Sequence, residues 1–391
     1  MEMRKLKAGD YEELLDMLNS TFAHKYGREM DFINEQPKMW VKDDEHMGRH
    51  IGIFEDGRLA SVVGMYPLPT RIMGEKCMFM TTGNVATRPE YEGRGYFTAI
   101  FSEIMREIEE IGIDAARLGG ARQRYGRYGF EPCGSSYRYE YTATNRIKCF
   151  GDGDYGITFK RVRAEDTAEL EFIRDLVVKK RFYVERGRDL SDQYRALTTK
   201  HSLPYIATRG DTNVGYLCAY ADGTFVGASK NGRNISEMGA IDEPTRVDMI
   251  NAWQKRVDKN LSFTLAPHES EAVFTFTGIA ESFSINTPSH FRILNYANIA
   301  NALMKLKASY TEMPECEALI GIKDYGTLRL YSKRGEYGAE IIDKTPSFTL
   351  DPSCASRLLF GPMLPSSFPG VPKELASLLP LPLSWNTLDY T

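Results

Sequence analysis

Residues 83–95 carry the pattern with the most chemistry in it. Gly83-Asn84-Val85-Ala86-Thr87 reads as a strand end, and Arg88-Pro89-Glu90-Tyr91-Glu92-Gly93-Arg94-Gly95 as a loop feeding a helix through Phe97, Ile100, Ile104 and Ile108. A glycine loop between a strand and a helix start points several unpaired N–H groups and the positive end of the helix dipole at one place, which suits an anion such as a pyrophosphate. Gly93 and Gly95 let the backbone approach phosphates closely, and Arg94 adds mobile positive charge. The candidate ligand-holding set is therefore Val85, Thr87, Arg88, Gly93, Arg94, Gly95 and Tyr96. On spacing alone, a tight turn with no ligand is the alternative. Tyr125, four residues before Gly129-Phe130, offers a hydroxyl. Alone it reads as a half-buried packing tyrosine. Trp40, in the long connection after the first helix, and Asn84 are the candidate acceptor-side residues.

Other chemistries lack their parts. His46 and His50 have metal-like spacing, but Gly48 lies between them and a strand follows, so they read as a loop pair and no metal site is expected. No Gly-x-Ser-x-Gly elbow is present. Lys+Arg 49 against Asp+Glu 53 gives a net charge of −4, which leaves no cationic surplus for nucleic acid. No apolar run approaches the roughly 18 residues a membrane span needs, and the charged N-terminus has no signal-peptide core. The six cysteines are scattered without a Cys-x-x-Cys pair and read as reduced thiols, so a cytoplasmic protein is expected.

The elements that must position these residues recur. After a short strand, Asp10 reads as a helix N-cap with Glu13 three residues on, followed by Leu14, Leu15, Leu18 and Phe22 at helical spacing. Asp166, Glu169, Leu170, Ile173 and Leu176 repeat that pattern, and laying residues 4–14 on 160–170 aligns Ala8 with Ala164, Asp10 with Asp166, Glu13 with Glu169 and Leu14 with Leu170. Each copy continues into a hairpin, turning at Asp56-Gly57 and at Gly210-Asp211. Two copies of one α/β unit are expected, over residues 1–150 and 151–287, with a glycine loop in the first alone. A third α+β region, 288–391, is expected to open with a helix carrying Ile293, Ala297, Ala300 and Met304. Asp351-Pro352 opens a later helix and Gly361 closes it, and the Pro-rich apolar tail reads as packed rather than free.

Strand, helix, hairpin, strand, glycine loop, helix, strand, then Tyr125 before Gly129-Phe130: this order resembles the GNAT acyltransferases. Glu90 stands where that family commonly has Gln or Arg. The loop implies an acetyl-CoA site, and Tyr125 is implied to protonate the departing thiolate. A competent copy, a degenerate copy and a C-terminal domain with an apolar tail resemble the Eis group over the full length, with Tyr125-Gly126-Arg127-Tyr128-Gly129 as the most specific local element. That resemblance implies tandem GNAT folds followed by a sterol-carrier-protein-like domain, a hexamer, and acetyl transfer to a primary amine of a small cationic acceptor, aminoglycosides included in some members. A non-catalytic ligand-binding or assembly protein, and a lipid carrier acting through the C-terminal domain, are the competing functions. The strand before the loop has no carboxylate or histidine to take the amine proton. The resemblance places the chain terminus in the active site, so the α-carboxylate of Thr391 is the expected base, with Asp389 lining the acceptor pocket. A free α-carboxyl titrates near about 3.3–3.7, so burial or a water relay would have to assist.

Overall fold

The computed structural model describes residues 1–220 and 234–389, and its strands fall into three sheets. Leading into the first are β1 (Glu2–Lys5), β2 (His50–Glu55), β3 (Arg58–Ile72), β4 (Glu75–Thr87), β5 (Ala115–Leu118) and β6 (Glu131–Cys133). There follow β7 (Ser136–Tyr141), β8 (Thr158–Arg161), β9 (Phe182–Val184), β10 (Ser202–Arg209), β11 (Thr212–Tyr220), β12 (Asn234–Ala240), β13 (Leu261–Leu265), β14 (Ser282–Asn286) and β15 (Ser289–Ile293). The first sheet runs β1-β2-β3-β4-β5-β15-β6, with β9 added against β3; the second runs β8-β10-β11-β12-β13-β7-β14. Position by position the two orders correspond, and the sixth place in each is filled by a strand from the other copy. The expected boundaries at 150/151 and 287/288 therefore do not separate the sheets. The fold is mixed α/β with a repeated unit.

The repeat extends to single hydrogen bonds. The Asp10 carboxylate does not cap its helix; it accepts the Lys7 N–H at 2.7 Å and pairs with Arg4. At an offset of 156 residues, Asp166 accepts the Arg163 N–H at 2.8 Å and pairs with Lys160. Glu13 instead accepts the Leu59 N–H, tying the first helix to the hairpin. Asp56 and Gly57 both take left-handed conformations, φ 51° and 78°, as a two-residue hairpin turn requires.

The helix Tyr96–Glu110 buries Ile100, Phe101, Ile104, Met105 and Ile108 on one face of the first sheet. The other face is covered by the helix Tyr11–Tyr26 at one end, and by the helix Tyr296–Ala308 and the tail at the other. The expected helix from 289 starts only at Tyr296, capped by Asn295. Residues Ser289–Ile293, with Ile293 buried, are the strand β15, because they fill the gap between β5 and β6. The later helix is Pro352–Phe360, capped by Asp351 and ended by Gly361 at φ 76°. It belongs to a third unit built on the four-stranded sheet of Cys316–Ile322, Gly326–Lys333, Glu336–Ile342 and Thr349–Leu350. The tail is packed, with Leu381 and Leu383 fully buried. None of the described cysteines is in a disulfide.

Candidate active site

Parallel pairing of β4 with β5 ends at Thr82 opposite Leu118, although β4 runs on to Thr87. The chain leaves β5 through Gly119-Gly120, so beyond Thr82 the two strands are no longer paired. On its other edge β4 carries an irregularity opposite Val62/Gly64, where Asn84 turns left-handed at φ 51° and Val85 has no partner in the register. Gly93 and Gly95 follow at φ 78° and 82°, conformations that favour glycine, and a Cβ on either would enter open space. Gly95 opens the helix Tyr96–Glu110 without a side-chain cap. Among the described residues the N–H groups of Tyr96, Phe97 and Thr98 have no backbone acceptor; the first such bond is Ala99 to Gly95. The arrangement is a cradle that suits an anion, beside the place where the pairing of β4 with β5 ends.

The side chains around this cradle are distributed differently from expectation. Arg94 is held by Glu55 at 2.8 Å and lies over the Tyr91 ring, and Glu55 also accepts the Tyr96 hydroxyl. The Tyr96 hydroxyl is thereby engaged, and its N–H is what faces the cradle. Arg88 is engaged away from the cradle: its N–H donates to the Ala60 carbonyl, its Nε to the Leu59 carbonyl and its Nη2 to Asp16, so it braces the first helix. Thr87 shares its hydroxyl with Ser61 at 2.8 Å. Arg124 lies over Phe97, and Arg127 donates to Thr98 at 3.2 Å in the first turn of the helix. These two arginines were missed, although the Arg-x-Arg-Tyr-Gly-Arg run was the available signal.

Tyr125 ends a short helical turn, 5% exposed, with its ring against Phe97 and Phe101 at 6.1 and 5.4 Å. Gly120 makes room for it, since a Cβ there would sit 2.8 Å from the ring. Burial raises the phenol above its ordinary value, keeping it a proton donor. A cleft of about 260 Å³ adjoins Gly120, lined among others by Arg117, Lys200, Ser289 and His290.

On the opposite face of β4, Asn84 is buried in a polar chain absent from the expectations. Its Nδ2 donates to the Tyr66 hydroxyl at 2.6 Å, which lies 2.6 Å from His50 Nε2, while His50 Nδ1 faces the Met47 carbonyl at 3.2 Å. A carbonyl only accepts, so Nδ1 carries the proton, and Nε2 accepts from Tyr66. Burial lowers the His50 pKa to about 4, leaving the ring neutral. His50 is thus a core histidine; His46 pairs with Asp43, and the two do not share a site. Trp40 is likewise a core residue, 8% exposed, edge-on to Tyr11 and Phe32 and stacked on His50, rather than the wall of an open pocket. Asp389 is not available to a cationic acceptor either, because its carboxylate is buried and bonded to Arg186 at 2.9 and 3.1 Å. Thr391 lies outside the described residues. No group of ligands that could hold a metal occurs among the described residues.

Residues 2–133 match the family profile described as the acetyltransferase (GNAT) domain. The chain carries a GNAT acetyltransferase domain. That GNAT domain ends at Cys133, before the first strand given to the second sheet. A search of curated protein sequences finds no significant match. Solved structures share the fold over the whole length. A GCN5-related N-acetyltransferase from Anabaena variabilis has a TM-score of 0.68 at 16% identity, covering 100% of both chains. One from Kribbella flavida has 0.65 at 14%, covering 100% of this chain and 98% of its own. Eis1 from Mycobacterium abscessus has 0.63 at 13%, covering 98% and 99%. The Eis-like architecture is therefore present as a fold. No helix among the described residues is long and apolar enough to cross a membrane.

Proposed function

We propose that the protein transfers the acetyl group of acetyl-CoA to a primary amine at the cleft between β4 and β5. The observation that carries this reading is the parting of the strands after Thr82/Leu118 beside the unpartnered N–H groups of Tyr96, Phe97 and Thr98. The residues fit the co-substrate: two left-handed glycines leave open space where a pyrophosphate would lie, and the helix start supplies donors and a positive dipole end. Bound there, acetyl-CoA supplies an activated thioester. Val85, Thr87, Gly93, Arg94, Gly95 and Tyr96 line the cradle, Tyr125 donates a proton to the leaving sulfur, and Arg124 and Arg127 add positive charge at the helix start. Asn84 remains the acceptor-side residue of β4, oriented by Tyr66.

An alkyl amine has a pKa of about 10.4 and arrives protonated, so a base is needed. We assign that role to the α-carboxylate of Thr391, directly or through water. Appending a few residues after Thr391 tests this: turnover collapses while acetyl-CoA still binds, and full activity places the base elsewhere. A sterol-carrier-like third unit, a homo-hexamer and a cytoplasmic setting complete the reading, on the Eis resemblance. With Asp389 engaged by Arg186, the case for a strongly cationic acceptor loses its carboxylate, and the acceptor is proposed only as a primary amine.

One site per chain is expected. In the second copy the corresponding helix, Glu243–Val257, is capped by Asp242 on the Thr245 N–H, has proline in its first turn and carries Glu243 there, which leaves no anion site. Calorimetry with acetyl-CoA, paired with a thiol-release screen of amines, tests the whole reading. Two sites per chain, or no acetyl-CoA binding, overturns it.

A further inference from the structure

The second copy has a site at the place where the first has its cleft, and the chain's own tail occupies it. Parallel pairing of β12 with β13 ends at Ile235 opposite Phe263, and an irregularity on the β11 side follows. Two residues beyond the last pair stands Glu237, as Asn84 stands two residues beyond Thr82. The likeness goes further: Asn84 bonds Tyr66 on β3, and Glu237 accepts the hydroxyl of Tyr216 on β11. The guest of Glu237 is Arg186, whose guanidinium bridges it to Asp389 of the tail. The side chains of Arg186, Glu237 and Asp389 are 6%, 1% and 6% exposed.

We propose that this second, degenerate cleft is a socket for the C-terminal tail, and that Arg186 is the positioning residue that fixes the tail against the acetyl-transfer cleft of the first copy. Leu388 is fully buried in the second copy's core with Val162, Leu170, Ile173, Leu197 and Tyr216. Three residues earlier, Trp385 packs on Phe79 of β4 at 4.9 Å and under Arg117 of β5 at 5.5 Å, and Arg117 donates to Thr81 at 2.9 Å. Lys38 of the first copy donates to the Leu388 carbonyl at 2.6 Å. The last described residues are thus gripped from both copies, within reach of the place where β4 and β5 part. Buried ions survive only when paired in good geometry. Here Arg186 bridges two carboxylates and Lys180 supplies the second positive charge; against the upward push of burial, the two cations hold Glu237 well below the usual carboxylate range. A unit without a cofactor loop thereby acquires a role: it holds the tail.

This inference rests on the acetyltransferase reading, and Asp389→Asn separates the two. The substitution is isosteric and leaves the Arg186–Glu237 pair in place. The expected result is at least a five-fold fall in kcat with an unchanged acetyl-CoA Kd, faster amide exchange over residues 381–389, and unchanged exchange over Tyr96–Glu110. Asp389→Glu, which keeps the charge, recovers part of the loss. The double variant Asp389→Asn with Arg186→Lys loses no more than the worse single variant. If the wild type is active and Asp389→Asn turns over within five-fold of it, the socket proposal is overturned. If the wild type transfers no acetyl group but tail exchange still quickens in Asp389→Asn, the enzymatic reading fails and the socket stands; unchanged exchange overturns the socket in either case.

Discussion

Replacing Tyr125 by Phe removes one oxygen from the proposed acid and leaves the ring where it is. The ring is fixed by Phe97, Phe101 and the Cβ-less Gly120, and all three contacts survive the substitution. Folding stability is therefore expected to change by no more than about 1 kcal/mol, the scale of one hydrogen bond. Acetyl-CoA affinity is expected to stay within two-fold, because the cradle lies at the start of the neighbouring helix. General acid assistance is worth roughly 10²–10⁴-fold, or about 2.7–5.4 kcal/mol at 1.36 kcal/mol per decade, and turnover is expected to fall by at least the lower figure. The pH profile supplies a second reading. Burial raises the Tyr125 pKa, so its acid form persists beyond the ordinary tyrosine range, and the alkaline limb it contributes to kcat vanishes in the variant. Thiol release under saturating acetyl-CoA and amine measures kcat, and calorimetry measures affinity. Turnover within three-fold of wild type would refute the role of the hydroxyl, and so would a loss matched by an equal loss of acetyl-CoA affinity.

Gly120→Ala places a Cβ 2.8 Å from the Tyr125 ring at a backbone φ of +142°. Turnover is expected to fall about as far as in Tyr125→Phe, with stability lower by roughly 1–3 kcal/mol; combining the two substitutions and measuring kcat checks whether they act through one group. Gly95→Val forces a β-branched residue to φ +82° at the helix start, and acetyl-CoA affinity by calorimetry is expected to drop at least ten-fold. His50 is buried and His268 half-buried, and loss of solvent lowers the pKa of each to about 4. The unfolded chain binds these protons from about pH 6.5 downward and the folded chain does not, so stability is full above pH 6.5 and is lost as pH falls toward 4. The size is roughly 3 kcal/mol per histidine at most, and Tm against pH, with His50→Gln flattening the acid side, is the check.

The glycine loop was legible because backbone geometry writes itself into sequence: Gly93 and Gly95 mark left-handed positions, and the apolar spacing from Phe97 to Ile108 marks the helix behind them. The repeat was legible for the same local reason, down to Asp10 and Asp166. What escaped depends on pairing across long separations. Nothing near residue 290 says that Ser289–Ile293 will fill a gap between β5 and β6, and an apolar run beside a helix reads as more helix. Likewise Asp389, Arg88 and Trp40 have the chemistry of site residues. Only the arrival of Arg186, Asp16 and Leu59, or Phe32 and His50 shows that each is already engaged. The His50–Tyr66–Asn84 chain was hidden because its members sit on three strands.

The exchanged strands bear on how the protein is made. Among the described residues β6 joins the first sheet only through β15, so the sheet that carries the proposed acetyl-transfer cleft is incomplete until Ser289–Ile293 has been synthesised. Between the end of β6 at Cys133 and the end of β15 at Ile293 lie 160 residues, about 8–32 s of ribosomal elongation at roughly 5–20 residues per second. Through that interval the nascent first copy presents the open edge of β5, whereas the second copy builds onto a β7 that the first has already supplied. The first sheet therefore cannot be finished ahead of the second, whose last strand ends at Asn286, and a ribosome that stops before Ser289 releases a chain with an unpaired strand edge, a ready target for aggregation or quality control.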